Sequence, residues 1–460
     1  MSLFIYYFLL KFEVYEEALI AMKKRRFTII ISLVLMLCIL GGCCMSKEAR
    51  IQRTYKDTES REVPLAVWAP PYSEVYTDDQ TMDNVYKMLA DAGIQYVYNE
   101  QEWSGALLNR IMDCCERYGI KSIIGLPLNN KEGAMELVRQ TMNHPACWGY
   151  NLKDEPAIDE IDYLADLRES IKNEAPSNIH FTVNLLPNYN FTWEGFENIE
   201  LDTYSSYVQD AVDLIQPDTL SFDYYPMRGN MVIEDRIFVY YLKNLIELKE
   251  QCEQANVTPL SIVQSASWSG MKLPTDKELE FLVNMNLVSG MKGITYYLYW
   301  SHIDYETGET TIDGMVSYEG EPNPIYYSVQ RINEGLGKMK GVFLDYSQEG
   351  YIFTNMPGAY HNFYGDVTDK NLLLYSYGPV ESVESAACVL SGCFTEEDGS
   401  KALYVMNYYL GGEEAQEVKL HFTESTPYRV WNFDGLIDMD TGKELTLSLA
   451  PGEACFVEFH

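Results

Sequence analysis

From residue 63 to residue 300 the chain alternates short apolar runs with longer amphipathic stretches. Eight runs read as strands: Pro64–Trp68, Gln95–Tyr98, Ser122–Leu126, Trp148–Lys153, His180–Leu185, Thr219–Tyr224, Leu260–Gln264 and Gly293–Tyr299. They are rich in β-branched and aromatic residues and apolar almost throughout, as parallel strands covered on both faces should be. Helical patterns lie between most of them. Thr81–Ala92 stops at Gly93 and Ala106–Tyr118 at Gly119, where glycine can take the left-handed turn that ends a helix. Glu132–Met142, Ile158–Asn173, Tyr204–Ile215 and Val232–Gln254 follow the next four strands. Thr275–Ser289 opens on Thr275-Asp276-Lys277-Glu278, a capping arrangement, and Pro324–Lys338 supplies a last helix.

Eight strand–helix units in series predict a closed (β/α)8 barrel, a fold that takes about 250 residues. No Gly-x-Gly-x-x-Gly follows the first strand, which argues against a dinucleotide fold. After Gly341 the texture changes to short alternating runs separated by Gly, Asp and Pro turns: Leu372–Tyr377, Lys401–Asn407, Glu417–Phe422, Tyr428–Asn432 and Ala454–Phe459. These predict an antiparallel sandwich. The expected class is therefore α/β, a TIM barrel over 63–340 followed by a smaller all-β sandwich over 341–460. No fixed-period repeat or low-complexity tract is present.

The N-terminus reads differently. Lys23-Lys24-Arg25-Arg26 precedes the apolar stretch Phe27–Leu40, which is shorter than the ~20 residues of a membrane span and suits a signal core. It ends in Leu40-Gly41-Gly42-Cys43, which resembles a bacterial lipoprotein cleavage box with Cys43 as the lipidated residue. The alternative is an uncleaved anchor. Residues 1–43 are thus expected to be a leader, with Met22 a candidate true start, and polar residues 44–62 a tether. Either reading puts the body outside the cytoplasm, at the cell envelope.

Net charge is −34 over 460 residues. So acidic a surface repels nucleic acid and anionic lipid and mildly favours neutral over sulfated or uronic substrates. Beyond Cys38, Cys43 and Cys44, the cysteines are Cys114, Cys115, Cys147, Cys252, Cys388, Cys393 and Cys455. Their odd number and irregular spacing form neither a disulfide framework nor a zinc site, although Cys388 and Cys393 could pair.

Barrel enzymes carry their sites at the C-terminal ends of the strands. Strand one offers Trp68 and Tyr72. Strand two offers Tyr98, Asn99, Glu100, Glu102 and Trp103. Strand four offers Asn151, Lys153, Asp154 and Glu155; strand five, Asn184 and Asn188. Strand six offers Asp223, Tyr224 and Tyr225. Strand seven offers Gln264, Ser267 and Trp268, and strand eight Tyr297, Tyr299, Trp300 and His302. Aromatics, amides and carboxylates suit sugars, which have apolar ring faces and many hydroxyls. Clustered His or Cys for a metal is missing, and no cofactor is implied. Any single Tyr is more simply a core residue, whereas Trp68, Trp268 and Trp300 stand at strand ends.

Glycoside hydrolysis normally uses two carboxyl groups. Period-two alternation puts Asn151, Lys153 and Glu155 on one face, so Glu155 faces the lumen if Asn151 does. A desolvated Glu155 among other acids fits a general acid, although Lys153 would oppose that shift at close range. Asp223 is the first choice for its partner and Glu100 the second. Asp154 suits a hydrogen bond to a sugar hydroxyl.

The run Trp148 to Pro156, ending Asp154-Glu155-Pro156, resembles the strand-four end of the (β/α)8 glycoside hydrolases of the large retaining clan, in particular bacterial lipoprotein members with an Asp-Glu-Pro motif. In that clan an Asn-Glu-Pro or similar motif carries the acid/base. Asn323-Pro324-Ile325-Tyr326-Tyr327 looks like the clan's last barrel helix. Leu390 to Asn407, and Leu449-Ala450-Pro451-Gly452-Glu453 through Phe459, look like its C-terminal sandwich. The resemblance spans about residues 63–460 and implies a glycosidase. It assigns Glu155 as the acid, with Trp68, Tyr98, Glu100, Asn151, Asp154, Asn184, Tyr225, Gln264, Trp268, Tyr297 and Trp300 about an oligo- or polysaccharide. One departure stands out: the clan's nucleophile is a Glu ending strand seven, where this chain has Gln264. Asp223 acting instead, substrate assistance, or binding without cleavage would each accommodate it. A non-catalytic glycan-binding lipoprotein is the alternative. A lyase or esterase on the same barrel lacks a supporting motif, there being no Gly-x-Ser-x-Gly elbow.

Overall fold

The computed structural model describes residues 62–76, 78–100, 105–127, 130–188, 201–229, 240–356 and 372–460. The leader, Cys43 and nearly all of the tether lie outside them, as do Glu102, Trp103 and residues 232–239 of the helix expected after strand six. Among the described residues, no helix is long and apolar enough to cross a membrane.

Eight parallel strands close a barrel: β1 (Leu65–Trp68), β2 (Tyr96–Asn99), β3 (Lys121–Gly125), β4 (Cys147–Asp154), β5 (His180–Leu185), β6 (Thr219–Phe222), β7 in two parts (Thr258–Pro259 and Ser261–Gln264), and β8 (Ile294–Tyr297). Proline has no N–H for the ladder, and β7 breaks just after Pro259. The first part of β7 pairs with β6 and the second with β8, so the ring is complete. Helices α1 (Asp79–Asp91), α2 (Gly105–Arg117), α3 (Lys131–Thr141), α4 (Ile161–Glu174), α5 (Leu201–Asp210), α6 (Leu242–Ala255), α7 (Asp276–Val288) and α8 (Pro324–Lys338) accompany the strands. The α7 capping box forms as the sequence implies, with Thr275 and Glu278 each accepting the other's backbone N–H. One glycine in the sheet is a steric necessity: a Cβ on Gly149 would run into the His180 backbone carbonyl.

The strand-rich C-terminal domain comprises β9 (Ser347–Thr354), β10 (Leu373–Leu374), β11 (Val380–Ser385), β12 (Val389–Thr395), β13 (Lys401–Asn407), β14 (Gln416–Asn432), β15 (Gly435–Leu449) and β16 (Ala454–Phe459). The expected strands Glu417–Phe422 and Tyr428–Asn432 are two arms of one long β14. The first arm pairs with β11 and the second with β16, and the register slips between His421 and Thr426. That irregularity lets one strand serve both layers of the sandwich. Both faces are buried. Leu403, Val405, Val457 and Phe459 fill the sandwich core, while the alternating Tyr404, Met406 and Phe456 join the barrel core. The cysteines described are all free, so Cys388 and Cys393 do not pair.

Polar ties reinforce the junction. Asn284 of α7 donates to the Gly452 carbonyl and accepts from the Tyr404 hydroxyl, both at 2.9 Å. Lys249 and Lys292 cap carbonyls of residues 344–348. Gly392 of β12 lies where a Cβ would run into the Val288 carbonyl at the end of α7. Gly392→Ala is expected to lower unfolding free energy by about 1–3 kcal/mol, read as a lower midpoint in urea at unchanged cooperativity. An unchanged midpoint would show that this contact is slack.

Candidate active site at the C-terminal mouth of the barrel

The end of β4 departs from simple alternation. Asn151 pairs with Thr182 and Asp154 with Asn184, so β4 spends one residue more than β5 over the same step. Such a bulge re-aims the side chains after it. The shared face expected for Asn151, Lys153 and Glu155 is therefore broken. Lys153 turns onto Glu160, with Nζ to Oε1 at 2.7 Å, which removes the feared quenching of Glu155. Asp154 instead joins the mouth, where it accepts from Asn184 Nδ2 at 2.9 Å.

Glu155 follows with φ +48°, a left-handed conformation costly for a residue with a Cβ. Its N–H donates to the Asn184 carbonyl at 2.8 Å. The next residue, Pro156, accepts a hydrogen bond from the Tyr207 hydroxyl at 2.7 Å. The kink is thus pinned on both sides and presents Glu155 beside Asp223.

Asp223 is buried just after β6, where it bridges in parallel to Ile262 of β7. It accepts from Asn184 Nδ2 at 2.9 Å, and the Tyr225 hydroxyl also supports it. One amide nitrogen, Asn184 Nδ2, therefore holds two carboxyls, while Ser221 Oγ donates to Asn184 Oδ1 at 2.9 Å and fixes the amide's orientation. Glu155 and Asp223 lie near enough for each to act on the other's titration. Asp154 and Glu155 remain open to solvent at the rim but are walled by protein on their other sides.

The electrostatics follow from this crowding. Burial first, then the charge of Asp154, raises Glu155 to about 6, with the Asp223 hydrogen bond acting the other way. Burial and the charges of Glu155 and Asp154 push Asp223 well above the usual carboxylate range. Burial also raises Asp154, against the Asn184 hydrogen bond and Lys153. Glu100 is pushed up to about 8 by burial and then by Asp154, with a hydrogen bond from Asn151 acting the other way. Asn151 Oδ1 accepts from Thr182 Oγ1 at 3.0 Å. Glu155 and Asp223 titrate as one system, and the two steps belong to the dyad.

Aromatic rings form the cup. Tyr225 meets Trp268 edge-on at 4.9 Å and Tyr297 at 5.3 Å, and Trp268 meets Tyr297 at 5.6 Å. These three remain partly exposed. Trp68 stacks on Tyr98 at 4.3 Å inside the lumen, and both are buried. Two predicted site residues do not join the group. Trp300 is 2% exposed and packs in the core with Tyr299. Gln264 is fully buried and spends its amide on the protein: Oε1 accepts from Met227 N at 3.0 Å, and Nε2 donates to Lys272 O at 2.9 Å. Further contacts run from Nε2 to the Met227 and Ala266 carbonyls at 3.3 Å. A glutamate there would offer acceptors to carbonyls. The missed contributors are Ser221 and Tyr207, which orient Asn184 and the Glu155 turn. Neither gives a sequence signal, since both lie inside runs that read as core.

No family model and no curated protein matches the sequence. Among solved structures, a glycoside hydrolase family 5 protein from Bacteroides vulgatus ATCC 8482 superposes over 86% of this chain and 88% of its own, with TM-score 0.51 and 10% identity. The likeness is one of fold. Two looser superpositions, too distant to carry weight, are a GH51 arabinofuranosidase from Xanthomonas axonopodis pv. citri and a putative alpha-L-fucosidase from Bacteroides thetaiotaomicron VPI-5482. The former has TM-score 0.43, 10% identity and coverage of 86% and 93%; the latter has 0.39, 10%, 52% and 86%.

Two outcomes test this geometry. Gln264→Glu should reduce stability by about 1–3 kcal/mol through its unsatisfied carbonyl partners, measured by denaturant melting; a stable variant would show that Gln264 is replaceable. The second concerns pH. Glu100 keeps its proton in the folded state up to about 8, whereas the unfolded chain releases it near 4.5. The folded state then binds more protons across that window, so stability is full below it and falls as pH rises through it. Glu155 and Asp223 act in the same direction. Thermal melts should fall from pH 5 to pH 9, and the fall should shrink in Glu100→Gln; equal slopes would place Glu100 in an ordinary environment.

Proposed function

We propose that this protein is a glycoside hydrolase in which Glu155 is the general acid and Asp223 its carboxyl partner. The observation that carries the reading is the convergence of Glu155, Asp223 and Asp154 around Asn184, beside an aromatic cup at the C-terminal mouth of a barrel. At neutral pH one proton between two crowded carboxyls leaves one side able to donate and the other able to accept. Glu155, more open to solvent and raised to about 6, is suited to deliver its proton to a glycosidic oxygen. Asp223, held by Asn184 and Tyr225, keeps its proton more firmly than Glu155 in the free protein, so substrate entry has to move that proton to Glu155 before Asp223 can stabilise positive charge developing on the sugar ring or activate what attacks it. Trp268, Tyr297 and Tyr225 offer ring faces to the C–H side of a sugar. Asn151 and Glu100, neighbours on β4 and just after β2, suit its hydroxyls. The substrate is an oligo- or polysaccharide.

The separation that bound substrate sets between the two carboxyls fixes the stereochemical course, about 5–5.5 Å for retention and about 6.5–9.5 Å for inversion. A site that holds a glycan without cleaving it is the second reading, favoured by the internal use of Gln264 on β7. The N-terminal motif places this activity outside the cytoplasm on a lipid anchor at Cys43, a proposal that rests on sequence.

The test is sugar release from a glycan panel by the full-length protein and its variants. Glu155→Gln should lose about 10²–10⁴-fold in turnover and Asp223→Asn a comparable amount. Wild-type activity should decline on the alkaline side with an apparent pKa near 6. Glycan retention without release by wild type and variants alike would establish the binding reading, and release undiminished in Glu155→Gln would remove Glu155 from the chemistry.

A further inference from the structure

A cavity of about 680 Å³ opens at the opposite end of the barrel from the carboxyl cluster. Its walls come from the starts of the strands, where barrel proteins usually have packed side chains and no site. Its inner end is closed by Ala66, Ile123 and Tyr98. Tyr98 stacks on Trp68 and hydrogen-bonds Thr182, so it stands as a partition below the mouth. The two sites are therefore separate spaces.

The chemistry of this lower cavity differs from that of the mouth. Three half-buried rings make one continuous wall: Tyr96 meets Trp148 edge to face at 5.2 Å, and Trp148 stacks on His180 at 4.1 Å. Two exposed carboxylates, Asp213 and Asp218, also line the cavity, and Asp213 accepts from Gln209 Nε2 at 2.8 Å. Asp218 uses one oxygen on the Phe181 N–H at 2.8 Å. No lysine or arginine is among the residues lining the space. The volume lies in the range of about 300–1,000 Å³ that small-molecule sites occupy.

Each class of ligand would use these features differently. An anion meets two carboxylates and no fixed cation, on a chain of net charge −34. A neutral apolar molecule uses the ring wall and leaves the carboxylates idle. A cation with an apolar body uses both, its carbon atoms against the ring wall and its charge beside the carboxylates, and the field of the whole chain draws it in.

We propose that this lower cavity is a binding site for a small organic cation of the alkylammonium or quaternary ammonium class. It stands independently of the glycosidase reading, because none of its residues belongs to the carboxyl cluster.

The test is calorimetric titration of the full-length protein with choline and with 3,3-dimethylbutan-1-ol, its neutral carbon isostere. Choline should bind saturably at one site and at least 10-fold more tightly than the isostere. Its affinity should fall at least 10-fold in Trp148→Ala, and also in Asp213→Asn, a change at an exposed position that leaves the fold intact. Glu155→Gln should bind choline as wild type does. No saturable choline binding, equal affinity for the isostere, or affinity unmoved by Asp213→Asn would overturn the proposal. Saturation by methyl glucoside in place of choline, lost in Trp148→Ala, would overturn it in favour of a second sugar site.

Discussion

The site depends on one amide. Asn184 Nδ2 lies between Asp154 and Asp223 at 2.9 Å from each, and its backbone carbonyl takes the Glu155 N–H. It is a neutral group holding together three acids that would otherwise repel. The cation on β4, Lys153, is drawn off to Glu160. Burial comes first in raising Glu155, Glu100 and Asp223, and the charge of Asp154 adds to each; a proton held near neutrality is what acid catalysis needs.

The rest of the fold secures this arrangement. The bulge in β4 delivers Asp154 and Glu155 to the mouth in succession, and Tyr207 holds the turn from α5. The left-handed Glu155 is strain of the kind found where geometry serves a site. Gln264 stitches the loop after β6 to the loop after β7, which keeps Asp223 and Tyr225 in place from the far side. Gln264 thus has a structural task of its own.

Much of the fold was legible in the sequence. Each predicted barrel strand lies within a few residues of an observed one, because parallel strands covered on both faces are continuous apolar runs with little else to mimic them. The sandwich was less readable. Gly435–Leu449 alternates but is mostly solvent-facing, so its apolar signal is thin, and β14 read as two strands because its bend carries polar residues. At the site, strand-end position alone picked out Glu155, Asp223, Asn184, Asp154 and Glu100. It failed for Trp300, whose indole turns into the core, and for Gln264, whose partners are backbone carbonyls with no residue signature. Period-two reasoning failed at Lys153 because a bulge is invisible to a pattern that assumes every residue counts.

The most direct measurement is the separation of the Glu155 and Asp223 carboxyls in a crystal structure with an oligosaccharide bound to Glu155→Gln. The account predicts a sugar ring against Trp268 and Tyr297, its glycosidic oxygen within hydrogen-bonding reach of residue 155, and the pair set about 5–9.5 Å apart. A sugar seated elsewhere, with residues 155 and 223 in direct contact, would contradict it.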